Sequence, residues 1–201
     1  MELRDLDLGE VPHVYPVRED SLLLATSARV ERGERVVEIG CGMGLATLSA
    51  ARAGARATGT DVNPFALAAL RRAAAQRGLE VGAVRTDLFG GLGRFDLVLC
   101  NPPYLPSSGE GRDPDPWHER ALDGGPDGLA FVRRFVAELP DHLRPGGRAY
   151  LLVASLPENP IRTRGLPVPA PALRVVDLVG DRVLPAETLW VLELQASSAT
   201  G

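Results

Sequence analysis

Asn101, Pro102, Pro103 and Tyr104 directly follow an apolar run at 95–100, and together they suit the binding of a planar amino group. The Asn101 amide can accept a hydrogen bond from an incoming NH2 group, the Pro102 carbonyl can accept a second, and the Tyr104 ring can cover the bound plane. The motif therefore predicts a site that presents a nitrogen atom for reaction. An ordinary loop is the alternative, because Asn and Pro are frequent in turns.

A glycine-rich turn lies upstream, between a β-rich run at 36–39 and a helical stretch at 45–53. Gly40, Gly42 and Gly44 let the backbone turn sharply and approach a ligand, and the following helix offers free N–H groups. Strand, glycine turn and helix in this order predict a nucleotide site, with Glu38 at its edge. The spacing departs from the dinucleotide fingerprint, in which the sixth position is glycine, and this disfavours nicotinamide cofactors.

Two aspartates close the next two predicted strands, at 55–60 and 81–86. Asp61 lies roughly 20 residues past the first glycine, where an acidic residue reaches ribose hydroxyls. It could also cap the next predicted helix, which has Pro64 near its first turn and continues over 66–77. Asp87 suits an adenine amino group, with a surface turn as the alternative. The residues that follow them, Val62 and Leu88, complete this predicted cofactor site.

Strands and helices alternate up to about residue 155, which predicts an α/β, Rossmann-like fold with a mostly parallel sheet and helices on both faces. The first helix is predicted over 18–31. Two β-rich runs within 173–194 have no helix between them and predict a C-terminal antiparallel hairpin.

The segment 105–127 is rich in Pro, Gly, Asp and Glu, and it directly follows the Asn101 motif. A long segment of this kind inside a compact domain predicts a flap loop, here over the target amide. A mobile surface loop is the alternative, with Trp117 as the residue most expected to be buried. His118 lacks a visible orienting partner, so the sequence does not favour it as a base.

Composition predicts one soluble domain over 1–201, because the chain has 201 residues, 45% of them hydrophobic and 24% charged. The net charge of −4 and the lack of clustered arginines argue against direct nucleic-acid binding. Without a long apolar run or a signal-peptide pattern, we expect a cytoplasmic protein and no membrane partner. Cys41 and Cys100 do not form a disulfide framework, and the histidines lack metal-ligand spacing, so no metal site is predicted.

These motifs resemble the class I S-adenosylmethionine-dependent methyltransferases, and within them the protein-glutamine N5-methyltransferases that modify translation release factors. The resemblance spans nearly the whole chain and is closest to a short archaeal and eukaryotic branch. It is carried by Val14 to Leu24, Glu38 to Gly44, Asp61, Asp87, Asn101 to Tyr104, Asp123 to Gly128, Glu158 to Pro160 and Glu187 to Leu189.

The resemblance implies a seven-stranded sheet, S-adenosylmethionine as cofactor, S-adenosylhomocysteine as product and the glutamine of a Gly-Gly-Gln loop as target. It implies that Tyr15, Glu19 and Asp20 meet the amino-acid end of the cofactor, although the two acidic residues could simply cap the first helix. It also implies that the cofactor reaches Asn101. The whole Asn101 to Tyr104 motif would bind the substrate, with Asn101, Pro102 and Tyr104 catalytic.

Two segments depart from the family pattern. Pro16, Val17 and Arg18 stand where short members commonly have Glu-Pro-Ala, and several prolines within 157–171 leave little room for a helix that the family usually has there. Members of the short branch often work with a small zinc-binding activator subunit, so such a partner is an expectation of the resemblance.

Two other functions compete with this interpretation. A DNA or RNA amino-methyltransferase would use the same Asn-Pro-Pro-Tyr chemistry, but it would have to flip a base and bind phosphates. A non-catalytic subunit that binds S-adenosylmethionine would keep the fold without turnover. The complete set of Asn101, Asp61 and the three glycines argues against that loss of function.

Overall fold

The computed structural model describes residues 8–107, 113–155, 172–185 and 187–196. The strands are β1 Arg35–Ile39, β2 Arg56–Asp61, β3 Gly82–Arg85, β4 Phe95–Cys100, β5 Leu143–Ser155, β6 Leu173–Val183 and β7 Thr188–Ala196. The helices are α1 Glu19–Ser27, α2 Leu45–Arg52, α3 Pro64–Gln76, α4 Pro116–Leu122 and α5 Ala130–His142.

All seven strands form one sheet in the order β3-β2-β1-β4-β5-β7-β6. The first five strands in that order are parallel, whereas β7 is antiparallel to both β5 and β6. This confirms the predicted fold class and the C-terminal hairpin. Since β1, β2 and β4 are parallel neighbours, their carboxyl ends meet at one edge of the sheet. Strand order reverses between β1 and β4, where ligands of such sheets bind.

The helices cover both faces of the sheet, and strand β4 shows how. Leu97 and Leu99 pack with α1 and α2 on one face. Val98 and Cys100 point the other way and pack with α5. Because side chains alternate along a strand and this strand is buried on both sides, its sequence is a continuous apolar run.

Helix α1 is shorter than predicted. It ends at Ser27, and Ala28 is already extended, with φ −69° and ψ 117°. The next carbonyl, that of Arg29, accepts a hydrogen bond from the Arg148 guanidinium of β5. A contact with a distant strand therefore accompanies the end of a helix that the apolar pattern would have continued.

The segment predicted as a flap loop, 105–127, contains helix α4 at Pro116–Leu122. The prediction of a loop was therefore wrong for these residues. Asp115 caps this helix, because its carboxylate accepts from the backbone N–H groups of Trp117 (2.8 Å) and His118 (3.4 Å). Pro116 occupies the first turn, where its missing N–H costs nothing. The proline-rich part of 157–171 and the Glu158 to Pro160 motif lie outside the described residues.

Candidate active site

A cavity of about 580 Å³ opens at the carboxyl edge of the central strands. Its walls come from the glycine turn, the ends of β2 and β4, the N-terminal segment and α4. Every predicted site residue lines it except Glu19. The size falls within the range of roughly 300 to 1,000 Å³ that is usual for small-molecule sites.

The glycine turn has a left-handed backbone at all three glycines, with φ +70° at Gly40, +50° at Gly42 and +78° at Gly44. A Cβ at either of the first two would meet nothing within 4 Å, so this backbone is open to a ligand. A Cβ at Gly44 would lie 2.5 Å from Leu70 Cδ1 of α3. The third glycine therefore allows close helix packing behind the turn.

Glu38 fixes the start of α2 behind the turn. Its carboxylate accepts hydrogen bonds from the Thr47 backbone N–H (2.7 Å) and from the Thr47 hydroxyl. Burial raises the pKa of Glu38 to about 7, against the opposing effect of the two Thr47 hydrogen bonds. This carboxyl group therefore titrates near neutral pH in the folded protein.

Asp61 links the turn to the end of β2. Its Oδ2 atom accepts from the Gly42 N–H (3.0 Å) and its Oδ1 atom from the Asn63 N–H (2.8 Å). Burial raises its pKa, and these hydrogen bonds act in the opposite direction. A carboxylate has about four acceptor positions, so both oxygens can still accept from hydroxyl groups of a ligand. The neighbouring Val62 lines the cavity beside it.

Asp87 and Leu88 form the wall beyond β3. Asp87 pairs with Arg134 of α5, and both side chains are about half exposed at the cavity. Leu88 has φ +48°, an uncommon conformation for a residue with a side chain, and yet it is buried. Such a left-handed residue is a feature of constrained functional turns.

Asn101 directly follows β4, and its Oδ1 atom is buried without a hydrogen-bond partner among the described residues. A buried acceptor left unpaired costs about 1 to 3 kcal/mol, which a ligand N–H group can recover. Pro102, which is buried, and Pro103 follow in the same wall of the cavity.

Tyr104 is partly buried, and its pKa is raised first by burial and then by the charges of Asp20 and Glu187. Its phenol therefore stays protonated. The turn at 123–128 supports it from behind, since a Cβ at Gly128 would collide with the Tyr104 carbonyl oxygen.

The N-terminal segment reaches the same end of the cavity. Asp20 is buried, with 4% of its surface exposed, and accepts from the Ser21 N–H (2.6 Å) and more weakly from the Tyr15 hydroxyl (3.5 Å). Burial, followed by the Asp20 charge, raises the pKa of Tyr15 to about 12. Glu19 is exposed and pairs with Arg182 of β6, outside the cavity. Adjacent helical residues point about 100° apart, which explains why only one acidic residue faces inward.

A clasp of exposed and partly buried side chains joins the N-terminal segment to α4. His13 Nδ1 lies 2.5 Å from Asp115 Oδ2, and the ring centroids of His13 and Phe65 are 4.9 Å apart. The His118 ring contacts the Val14 carbonyl through Nε2 at 3.1 Å. Trp117 is half buried and faces Phe65 edge-on. His118 thus takes part in the clasp and does not line the cavity.

Among the residues that the structure describes, no group of three or more His, Cys, Asp or Glu side chains could hold a metal ion. Cys41 and Cys100 are buried free thiols, and burial raises the pKa of both. In the same part of the chain, no helix has the length and apolar character to cross a membrane.

Two residues of the site, Arg134 and Arg120, were not predicted from the sequence. Arg134 lies 47 positions from its partner Asp87, and nothing in the local pattern connects them. Arg120 of α4 lines the cavity, and its charge opposes the rise in the pKa of Asp61 that burial causes. The Asp115-Pro116 pair is a helix-start signal that could have revealed α4, and with it Arg120.

Comparison with known proteins defines the family. Residues 17–113 match the methyltransferase small domain. A Methanocaldococcus jannaschii protein assigned as an N5-glutamine methyltransferase is 37% identical over 158 residues, which cover 78% of this chain and 80% of that protein. The chain belongs to the protein N5-glutamine methyltransferase family. Its enzyme class is therefore that of a methyltransferase, as the resemblance implied.

Within this family, the release factor glutamine methyltransferase of Geobacter sulfurreducens is 35% identical over 158 residues, which cover 73% of this chain and 55% of that enzyme. The chain thus spans about half the length of that bacterial relative. The structure of the T. Thermophilus 16S rRNA N2 G1207 methyltransferase with AdoMet and guanosine aligns with a TM-score of 0.63 at 24% identity. The alignment covers 91% of this chain and 44% of that protein, and it shows that the two share a fold.

Proposed function

We propose that this protein transfers a methyl group from S-adenosylmethionine to the side-chain nitrogen of a protein glutamine, in the Gly-Gly-Gln loop of a translation release factor. The observation that carries the proposal is the buried Oδ1 atom of Asn101, which has no hydrogen-bond partner among the described residues and lies in the same cavity as the open glycine turn. A glutamine NH2 group would supply the missing donor. The names of two relatives support the choice of substrate.

The residues present fit S-adenosylmethionine. The backbone at Gly40 and Gly42 is open to a ligand, and Asp61 keeps acceptor positions for ribose hydroxyls. Asp87 offers a carboxylate for the adenine amino group. At the other end, Tyr15 and Asp20 would meet the amino-acid part. When bound, the cofactor supplies a methyl group on a cationic sulfur, and its product is S-adenosylhomocysteine.

The chain's own contribution is orientation more than base catalysis. Asn101 Oδ1 and the Pro102 carbonyl would accept hydrogen bonds from the two N–H groups of the amide and so direct its nitrogen at the methyl group. Transfer of the methyl group, with the electron pair of the broken C–S bond left on sulfur, would give the amide nitrogen positive character. Both acceptors stabilise that charge until the nitrogen loses a proton to water.

Charge near the target supports a protein substrate over a nucleic acid. Asp20 and Glu187 both act on Tyr104, whose pKa their negative charges raise. Phosphates next to these carboxylates would be repelled, whereas nucleic-acid enzymes usually surround such a site with cations. We also propose that the protein acts in the cytosol, where translation takes place.

The test is methyl transfer from labelled S-adenosylmethionine to a Gly-Gly-Gln peptide, to the whole release factor and to total RNA. The control peptide carries Asn in place of Gln, and the Asn101→Ala variant is assayed beside the natural protein. We expect label on the glutamine peptide and on the release factor but not on the control peptide or on RNA. In the Asn101→Ala variant we expect a loss of at least about 100-fold, with binding of S-adenosylhomocysteine retained.

Label on RNA would replace this proposal with the nucleic-acid alternative. Label that appears only after cell extract is added would indicate an activator, such as the zinc-binding subunit expected from the resemblance. Cofactor binding without label under any condition would favour the non-catalytic subunit.

A further inference from the structure

We propose that Arg134 is a positioning residue that fixes the Asp87 carboxylate for recognition of the 6-amino group of adenine. The inference rests on the proposed function, because it requires an adenine-containing cofactor at Asp87. Arg134 Nη2 donates to Asp87 Oδ2 over 2.8 Å, and both side chains line the cavity. Asp87 Oδ1 has no hydrogen-bond partner among the residues of the described ranges, so it is available to a ligand.

The rotation of α5 places Arg134 at the cavity. Val132, Phe135, Val136 and Leu139 of this helix are fully buried against the sheet. With the apolar stripe fixed in the core, the intervening arginines must lie on the outer side of the helix. Arg134 reaches Asp87 from there, and Arg133 turns to Asp127.

The turn that carries Asp87 is fixed to the same helix. Phe89 is buried and stacks on Phe135, with ring centroids 5.5 Å apart. Within the turn, the Thr86 hydroxyl donates to the Gly90 carbonyl (2.9 Å). The Asp87–Arg134 pair therefore lies between two backbones that already pack together, so the pairing needs little further ordering of the chain.

In this arrangement Arg134 sets the orientation of the Asp87 carboxylate. A half-exposed aspartate on a turn would otherwise rotate and pair with water. Because Arg134 occupies Oδ2, the carboxylate is held with Oδ1 free. An exocyclic amino group can donate to that atom, but the keto oxygen of hypoxanthine presents only lone pairs and is repelled. Sites built around such a hydrogen bond discriminate strongly against analogues that lack it.

The experiment measures calorimetric dissociation constants of S-adenosylhomocysteine and S-inosylhomocysteine for the whole protein. We expect the natural protein to prefer the adenine compound. Arg134→Ala is expected to reduce that preference about 3- to 10-fold, mostly by weakening the adenine compound, since an ordered hydrogen bond to a charged group is lost. Arg133→Ala removes a neighbouring charge from the same helix and is expected to leave the preference unchanged.

Two further variants separate positioning from a general effect of charge. Arg134→Lys keeps the charge but loses the planar guanidinium, and we expect it to restore the preference only in part. In an Asp87→Ala background, Arg134→Ala should change the preference no further, because the arginine acts through that carboxylate.

Unchanged preference in Arg134→Ala, or an equal loss in Arg133→Ala, would overturn the inference while the proposed function stands. If the natural protein does not bind S-adenosylhomocysteine at all, the proposed function fails, and this inference fails with it.

Discussion

The glycine turn and the flap helix line one cavity, yet different kinds of contact hold them in place. Behind the turn, buried or partly buried groups that are near in sequence meet: Thr47 donates to Glu38, nine positions away, and Gly42 donates to Asp61, 19 positions away. The flap is joined to the N-terminal segment by His13 and Asp115, which are 102 positions apart and lie at the surface. Buried contacts of the first kind make a rigid cradle, whereas exposed contacts of the second kind are weak enough to open.

The largest expected effect concerns packing behind the turn. Gly44→Ala places a Cβ against Leu70 in a left-handed backbone, so we expect it to lower the free energy of unfolding by about 2 to 5 kcal/mol. Gly78→Ala is the matched control. Its φ is also positive, at +62°, but its Cβ would meet nothing within 4 Å, so only the backbone cost of about 1 to 2 kcal/mol should remain. Urea denaturation measures both, and equal losses would contradict the packing argument.

The pH dependence of stability tests how deeply the turn is buried. Folding raises the pKa of Glu38 to about 7, so its proton stabilises the folded state. This contribution, roughly 3 kcal/mol, is complete below the ordinary carboxyl pKa of 4.5 and is lost as the pH rises through about 7. Relative to Glu38→Gln, the natural protein should therefore lose stability between pH 5 and 8.

Chemical denaturation of both proteins across that pH range provides the measurement. Glu80→Gln, at an exposed carboxyl group, controls for the general loss of a negative charge. Parallel curves for the natural protein and Glu38→Gln would indicate that water reaches Glu38 and that the cradle is open to solvent.

Asp61 connects the cradle to the ligand, so its loss should affect binding more than folding. We expect Asp61→Ala to raise the dissociation constant of S-adenosylhomocysteine about 10- to 100-fold, as hydrogen bonds to a charged group contribute about 1.5 to 3 kcal/mol. Asp61→Asn keeps the shape and one acceptor, and it should lose less. Calorimetric titration is the measurement. A wild-type affinity in Asp61→Ala would assign this residue to the turn alone.

The smallest effect is expected at the clasp. His13→Ala should increase the dissociation rate of S-adenosylhomocysteine about 2- to 5-fold, since exposed ion pairs contribute about 0.2 to 1 kcal/mol. Asp115→Ser keeps a helix-capping oxygen on α4 but removes the partner of His13, so it should reproduce the rate change with little loss of stability. Stopped-flow fluorescence with Trp117 as reporter provides the rates. Unchanged rates in both variants would show that the clasp does not limit cofactor release.

Prediction from the sequence succeeded where local rules decide the structure. The strands, the hairpin and the placement of Asp61, Asp87 and Asn101 at strand ends follow from apolar runs and from the residues that interrupt them. The chain topology then brings those ends to one edge, because parallel neighbours share a direction. The early end of α1 was missed, since a contact with Arg148 of a distant strand accompanies it.

In the candidate site, too, some features follow from the local sequence and others from contacts between distant residues. The sequence alone determined the glycine turn and the amide that follows β4, because left-handed turns favour glycine and because the residue type fixes the chemistry of the side chain. The tertiary structure decided that Asp20 and not Glu19 faces the cavity, and that Arg134 meets Asp87. These choices depend on how the core rotates each helix, and that rotation is set by packing among residues far apart in the chain.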